Sequence, residues 1–244
     1  MVKQSTPYRL IASLIAVATM LSACEPSEEK SQMNLDTGII RIEIEGQRFD
    51  APLRYMYSYG LATHGRWPTP KKEVAKVGAL NLSVLLPDLR PYYPEDEARW
   101  KERGHGDKLE VLFMKFNGPK EKWGLRNEIN IAHEEKFGIY VRAPDNHGLI
   151  HYTDANKEPY DAGDKYFATD RQLRISCDSV EPPDSNQKGF YSPSCNVSSN
   201  YKHYLDLEYS YALKYLPQWK EIDDKLKALF DKFAQAAATE LTNQ

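Results

Sequence analysis

The sequence predicts a mainly antiparallel α+β protein with long loops and a C-terminal amphipathic helix packed on the sheet. Two observations predict the sheet: short segments in which apolar and polar residues alternate, and proline or glycine breakers that separate these segments. The third observation is an apolar stripe with helical spacing near the C-terminus. Short strands at this spacing favour antiparallel pairing over βαβ units.

The alternating segments begin at residue 39 and recur as far as residue 211. In the first segment, residues 39–45, isoleucine alternates with arginine or glutamate until Gly46 ends the pattern. The other predicted strands are residues 80–86, 109–116, 137–141, 148–152, 173–177 and 204–211. Because alternation places one set of side chains on each face, these strands are predicted to be half-buried.

The predicted C-terminal helix begins near Pro217, which is suited to the first turn because it lacks a backbone N–H. Its apolar side chains recur at steps of three and four: Trp219, Ile222, Leu226, Leu229 and Phe233. The opposite face is predicted to carry Lys220, Asp223, Asp224, Lys227 and Lys232. A shorter helix is predicted over residues 95–103.

The first residues have the pattern of a bacterial lipoprotein signal peptide. Lys3 and Arg9 precede an apolar run of 12 residues, 10–21, which is too short for a membrane span of about 20 residues. The run ends in Leu-Ser-Ala-Cys, a lipobox in which small residues fit the peptidase and the Cys24 thiol takes the lipid. We therefore predict that residues 1–23 are removed and that Cys24 is lipidated.

The segment after the cleavage site predicts where the protein resides. Glu25 stands where inner-membrane lipoproteins carry Asp, so we expect an outer-membrane anchor with the body facing the periplasm. Residues 24–38 are polar and predict a flexible tether. The body would span residues 39–244, either as one domain or as two subdomains at about 39–165 and 166–244.

The charge of the chain argues against nucleic-acid binding. The formal net charge is −3, and removal of Lys3 and Arg9 with the signal peptide lowers it to −5. Nucleic-acid binding requires a basic surface. Electrostatic adhesion to anionic lipid is disfavoured for the same reason, so we expect the lipid on Cys24 to hold the protein at the membrane.

Two cysteines remain once Cys24 is lipidated. Cys177 and Cys195 form the one available pair in an oxidising compartment, which predicts a disulfide bond. Closing the 17 intervening residues would stabilise the fold by roughly 3 kcal/mol. A zinc site is the competing interpretation, but neither cysteine has a CxxC partner.

The catalytic and metal-binding motifs in the sequence are incomplete. His133-Glu134-Glu135 resembles the start of a metalloprotease helix, but Phe137 stands in place of the second ligand. A calcium-like loop opens at Asp154 and then departs from the pattern. His147 and His151 are four residues apart, which places both on one face of a helix or a strand. The alternative interpretation is two surface histidines near a loop. We expect no enzyme activity, metal or cofactor, although a carboxylate pair formed by the fold remains open.

Aromatic residues are the most prominent feature, with 16 tyrosines and 4 tryptophans. Tyrosine, tryptophan and arginine are favoured at the anchoring points of protein interfaces. Pro91 and Pro94 bracket Tyr92 and Tyr93, and proline stiffens a loop before binding. The predicted partner-binding residues are therefore Arg90, Tyr92 and Tyr93, with Trp67 as second choice. Tyr55, Tyr57 and Tyr59 form another cluster, whose alternation also fits packing within a strand.

The C-terminal pieces follow a recognisable order. A strand ends in Cys177-Asp178, a turn-rich loop leads to Ser194-Cys195, a tyrosine-rich strand follows, and Leu-Pro-Gln-Trp-Lys-Glu-Ile-Asp opens the last helix at residue 216. Residues of about 170–235, together with the lipobox, resemble periplasmic immunity lipoproteins that protect bacteria against type VI secretion phospholipase effectors. The resemblance implies an inhibitor that binds the effector protein and occludes its active site without a cofactor.

Two other classes of function remain open at the level of sequence. One is an envelope lipoprotein that binds a small ligand or a cell-wall fragment, or assembles with envelope proteins; a deep apolar pocket would favour it. The other is a hydrolase with a dispersed carboxylate site, which closely set carboxylates in a cleft would favour. A tight heterodimer with an effector would separate the immunity function from both.

Overall fold

The computed structural model describes residues 35–57, 68–120, 123, 133, 135–155, 163–180, 191–202 and 204–242. The described residues from Leu35 onward belong to one compact unit. Within them, a three-stranded sheet and an eight-stranded sheet are joined by short helices and one long C-terminal helix. The predicted signal peptide, Cys24 and most of the predicted tether lie outside the described residues.

The eleven described strands are numbered along the chain. They are β1 (Ile39–Ile44), β2 (Gln47–Pro52), β3 (Ala75–Lys76), β4 (Ala79–Leu85), β5 (Lys108–Lys115), β6 (Tyr140–Asn146), β7 (Leu149–Asp154), β8 (Gly163–Phe167), β9 (Leu173–Asp178), β10 (Ser194–Asn200) and β11 (Leu205–Ala212). The small sheet has the order β2-β1-β3, and the large sheet has the order β4-β5-β11-β10-β9-β8-β7-β6. Every pair in the large sheet is antiparallel, while β1 and β3 are parallel.

The described helices are short except for the C-terminal one. Helix α1 spans Glu97–Trp100 and helix α2 spans Trp219–Thr242. Within the described ranges, 3₁₀ helices span Leu53–Met56, Pro94–Asp96 and Leu213–Gln218. The predicted α+β class is confirmed, with a mostly antiparallel sheet and the C-terminal helix packed on it. Among the described residues, no helix combines the length and apolar character that crossing a membrane requires.

Several predicted boundaries were wrong for local reasons. Residues 135–137 form a helical turn that Gly138 ends with a φ of +63°, so β6 begins at Tyr140 and not at residue 137. The predicted helix 95–103 is divided into a 3₁₀ turn and α1. Tyr55 lies in the Leu53–Met56 3₁₀ helix and Tyr57 follows it, so these two tyrosines do not lie on a strand, and Tyr59 lies outside the described residues.

Helix α2 covers one face of the large sheet through an aromatic core. The ring of Phe230 stacks on Phe113 of β5 at 4.1 Å between centroids, and Phe49 of β2 meets Phe113 edge-on at 5.1 Å. Along the helix, Ile222, Leu226, Leu229, Phe230 and Phe233 are buried. Trp219 is only half-buried and donates a hydrogen bond to the carbonyl of His147, 2.9 Å away. Pro217 lies in the preceding 3₁₀ helix and not in the first turn of α2.

One residue of the predicted polar face of α2, Asp223, is buried. Asp223 is 5% exposed, because it lies beside Leu226 and Phe230 on the side that faces the sheet. Lys227 contacts its carboxylate at 2.7 Å. Lys227 is therefore half-buried in an ion pair with Asp223 and does not stand on a purely solvated face.

The C-terminal end of α2 is held to the small sheet by charges. Glu240 accepts hydrogen bonds from Arg41 of β1, at 2.8 Å, and from Arg48 of β2. Arg48 also contacts both carboxylate oxygens of Asp50 at 3.1 Å. The hydrogen bond from Arg41 lowers the pKa of Glu240 to about 2, burial opposes this, and Arg48 lowers it further. This network fixes the helix end against β1 and β2.

Candidate functional site

The disulfide bond lies in the middle of the large sheet. Cys177 and Cys195 pair directly across β9 and β10, and their sulfur atoms are 2.06 Å apart. Next to the bond, one carboxylate oxygen of Asp178 accepts hydrogen bonds from the backbone N–H and the hydroxyl of Ser194, both at 2.8 Å. These contacts close the base of the loop between the two strands.

The loop predicted to bind a partner is held by the edge of β4. Arg90 forms a bridge with Leu85, with backbone hydrogen bonds of 2.8 and 3.0 Å between the two residues. Its guanidinium contacts Glu95 at 2.7 Å and Asp96 at 2.9 Å. Because both backbone and side chain are fixed, Arg90 is positioned before any partner arrives.

Tyr93 lies between two arginines. The guanidinium carbon of Arg54 is 4.4 Å from the centre of the Tyr93 ring, and that of Arg90 is 4.8 Å away. In such cation–π contacts the guanidinium group is attracted to the face of the aromatic ring. Tyr93 and Arg90 are half-buried and exposed, respectively, so together they present a rigid aromatic and cationic surface.

Tyr92, which the sequence predicts to bind a partner, packs against the body of the protein. Its ring stacks on Tyr57 at 4.2 Å with an interplanar angle of 3°, and it packs against a core cluster of Tyr57, Leu85 and Trp100. Burial raises the pKa of its phenol. The structure therefore brings Arg90, Tyr92 and Tyr93 together, with Tyr92 supporting the loop from inside. Trp67 lies outside the described residues.

A groove of about 700 Å³ lies beside this loop. Tyr57, on which Tyr92 stacks, lines one side of it, together with Ile40, Met56 and Val77. Its polar lining comes from the large sheet: Asn81 and Ser83 of β4, Glu110 of β5, Asn196 of β10, and Glu208 and Ser210 of β11. By strand alternation these side chains lie on the face opposite α2, since Phe113 and Tyr209 contact the helix.

The groove combines acid and small polar side chains. Glu110 pairs with Ser83 and with Ser210 across the strands, and Glu208 pairs with Leu112. Glu110 and Glu208 are thus diagonal neighbours on one face. Ser198 donates a hydrogen bond to Glu208 at 3.1 Å. No sequence motif marks this site, because its residues come from five strands, β1, β4, β5, β10 and β11. The signal in the sequence is serine, asparagine and glutamate at alternate positions.

The histidine pair of the sequence separates in the structure. His147 is in the β6–β7 turn with a φ of +52°, whereas His151 is on β7. The His151 ring stacks on Tyr166 at 4.6 Å, and its Nε2 is 3.3 Å from an Asp164 carboxylate oxygen. In the part of the chain that the structure describes, no group of three or more His, Cys, Asp or Glu is arranged to hold a metal.

Two solved structures of bacterial proteins share this fold. Smlt3025, an immunity protein of the Stenotrophomonas maltophilia type IV secretion system, matches with a TM-score of 0.57 at 15% identity, over 80% of this chain and 93% of its own. FrpD, an iron-regulated outer membrane lipoprotein of Neisseria meningitidis, matches with a TM-score of 0.54 at 15% identity, over 83% and 95%. No protein-family model matches the sequence, and neither does any curated protein. At these identities the likeness is one of fold.

Proposed function

We propose that this chain is a lipid-anchored periplasmic immunity protein that binds a type VI secretion phospholipase effector and blocks its active site. The observation that carries the proposal is the shared fold with an immunity protein, which extends over 80% of this chain. The lipobox at Cys24 supports the location, and the fold shared with an outer membrane lipoprotein is consistent with it. The C-terminal sequence resemblance supports the class of effector.

The Arg90–Tyr93 loop supports a protein-binding role. Protection against a membrane-degrading enzyme requires tight binding, and nanomolar affinity corresponds to about −12 kcal/mol. A few arginine and aromatic anchors supply much of such an affinity when they are preorganised. The bridge to Leu85 and the two arginines around Tyr93 provide that preorganisation.

The test is protection of living cells. A phospholipase effector from the type VI secretion system of the same bacterium is directed to the periplasm of a host that produces this protein. Wild-type protein should restore growth, and the double variant Arg90→Lys, Tyr93→Ala should not. Arg90→Lys keeps a positive charge beside Asp96 but loses the planar stacking group.

Tyr204→Ala is the matched control, because Tyr204 is 40% exposed and lies in the turn between β10 and β11. It should protect as well as wild type. Full protection by the double variant would remove the loop from the interface. Absence of protection by wild-type protein against every phospholipase effector of the bacterium would contradict the immunity function.

A second candidate function is an envelope lipoprotein that binds a small ligand or a cell-wall fragment. The groove favours it, because its volume of about 700 Å³ suits a small molecule. Binding of cell-wall fragments by a protein that gives no protection would support this alternative.

A further inference from the structure

We propose that β4 receives an extended segment of the effector, which pairs with the outer edge of β4 as an additional strand of the large sheet. Among the described strands, β4 lies at one end of that sheet, and its consecutive residues 79–83 line the groove. This inference rests on the proposed function and adds the form in which the effector is bound. Affinity in such a contact comes from backbone hydrogen bonds along the edge.

The backbone of β4 directs the polar groups of alternate residues away from the sheet. The N–H of Leu86, just after β4, donates a hydrogen bond to the carbonyl of Asp107 on the side of β5, at 2.9 Å. Successive residues of an antiparallel strand point their N–H and C=O groups in opposite directions, so the odd-numbered residues of β4 point outward. In the described part of the chain, no strand pairs with three of these residues: Ala79, Asn81 and Ser83.

Strand pairing at this edge begins within the chain itself. Leu85, the last outward residue of β4, exchanges two backbone hydrogen bonds with Arg90, at 2.8 and 3.0 Å, in an antiparallel bridge. Arg90 therefore occupies one position of a neighbouring strand, and a segment paired with Asn81 and Ser83 would continue the same line. The outer edge of β4 and the Arg90–Tyr93 loop thus form one continuous surface.

The two edges of the large sheet differ in how they resist pairing with another chain. At the opposite edge, β6 contains Pro144 and the exposed Arg142, and a bulge interrupts its register with β7. Proline, charge and bulges are the features with which proteins prevent pairing at sheet edges. β4 reads Ala-Leu-Asn-Leu-Ser-Val-Leu, without proline or charge, and its register with β5 is uninterrupted. This edge is therefore suited to a partner strand.

The two sides of the groove determine the residue pattern of the bound segment. Alternate side chains of an added strand point to opposite faces of the sheet. On the face opposite α2 they meet the polar side chains of Asn81 and Ser83. On the side of α2 they meet Ile40 and Ile42 of β1, which lie there because Phe49, the partner of Ile42, packs against α2. We therefore expect the segment to alternate between polar and apolar residues.

Amide hydrogen exchange followed by NMR tests the pairing on the unaltered mature protein. The protein is measured alone and in complex with a catalytically inactive phospholipase effector of the same bacterium. The amides of Leu80, Leu82 and Val84 point toward β5 and should exchange slowly in both samples. The amides of Asn81 and Ser83 should exchange rapidly in the free protein and at least about tenfold more slowly in the complex.

Each other outcome of this measurement would overturn the proposal. Rapid exchange of Asn81 and Ser83 in a complex that has formed would place the effector elsewhere and leave the immunity function standing. Slow exchange in the dilute free protein would show that the chain itself covers the edge, and slow exchange only at high concentration would show that a second copy covers it. If no effector forms a complex, the immunity function fails as well.

A proline variant tests the backbone contact by affinity. Asn81→Pro removes an outward N–H but no hydrogen bond to β5, and proline is tolerated in edge strands. Binding of the inactive effector should weaken by about tenfold, because a carbonyl of the bound segment loses its donor. Arg142→Pro makes the matched change at the outer side of β6 and should bind as wild type does.

Urea denaturation establishes that both proline variants are folded before their affinities are compared. Wild-type affinity of folded Asn81→Pro protein, or equal weakening by Arg142→Pro, would contradict pairing at β4. If Asn81→Pro does not fold, the exchange of the Asn81 and Ser83 amides in the wild-type complex decides the question.

Discussion

The phenol of Tyr209 on β11 donates a hydrogen bond to the carboxylate of Asp223 on α2, with 3.0 Å between the two oxygens. Both residues are buried, and Lys227 contacts the same carboxylate at 2.7 Å. Burial raises the pKa of Tyr209 well above its ordinary value, and the charge of Asp223 raises it further. The pair joins the helix to a central strand through polar groups that water does not reach.

Removing Asp223 should therefore destabilise the fold. Asp223→Ala leaves the Tyr209 hydroxyl and the Lys227 ammonium without this partner, and we expect a loss of about 1–3 kcal/mol in the free energy of unfolding. Asp224→Ala is the control, because Asp224 pairs with Lys220 on the exposed face and should change stability by less than about 0.5 kcal/mol. Urea denaturation measures both, and equal losses would contradict the buried role of Asp223.

The disulfide bond should contribute measurably to stability. The bond spans a sequence separation of 18, and replacing Cys177 and Cys195 by serine should lower the free energy of unfolding by roughly 3 kcal/mol. Non-reducing peptide mapping of periplasmic protein should recover the two cysteines as one linked pair. Two freely alkylated thiols in that sample would contradict the pairing.

The Glu240 network predicts a dependence of stability on pH. The pKa of Glu240 is lowered from 4.5 to about 2, so its ion pairs stabilise the fold above pH 4.5. That contribution is lost as the pH falls through about 2, where the carboxylate becomes protonated. Glu240→Gln should be less stable than wild type at neutral pH. This difference in the free energy of unfolding should disappear at the lowest pH values, where Glu240 is protonated in the wild type.

Chemical denaturation at several pH values measures this difference. Glu221→Gln is the control, because Glu221 pairs with Lys225 on the exposed surface of α2 and its loss should matter little. A difference between Glu240→Gln and wild type that does not vary with pH would contradict the assignment.

The lipobox predicts that Cys24 alone anchors the protein. Cys24→Ala should abolish palmitate labelling and release the protein from the membrane fraction, because the net charge of the body does not favour anionic lipid. Labelling that persists in this variant would contradict the lipobox interpretation.

The sequence predicts a strand where the residues of that strand themselves alternate between apolar and polar. Strands such as β5 and β11 alternate clearly, and both were predicted. The strand β10 reads Ser-Cys-Asn-Val-Ser-Ser-Asn and has no apolar alternation, so its place between β9 and β11 comes from its neighbours and not from its own residues. β3 has only two residues, and its pairing with β1 depends on tertiary structure.

The candidate site was predictable only in part. Proline bracketing indicated a stiff loop at Arg90 and Tyr93, and the structure holds that loop through Leu85, Arg54 and Glu95. The inward position of Tyr92 was not predictable, because its partner Tyr57 is distant in sequence. The groove was missed for the same reason, since separate strands supply Glu110 and Glu208.

Inhibition of the purified effector tests the central claim most directly. The rate at which a phospholipase effector hydrolyses phospholipid vesicles is measured while the mature protein is titrated into the reaction. We predict that the rate falls in proportion to added protein and reaches zero at equimolar concentration, as expected for nanomolar binding that blocks the active site. An unchanged rate at a large excess of folded protein would contradict the immunity function.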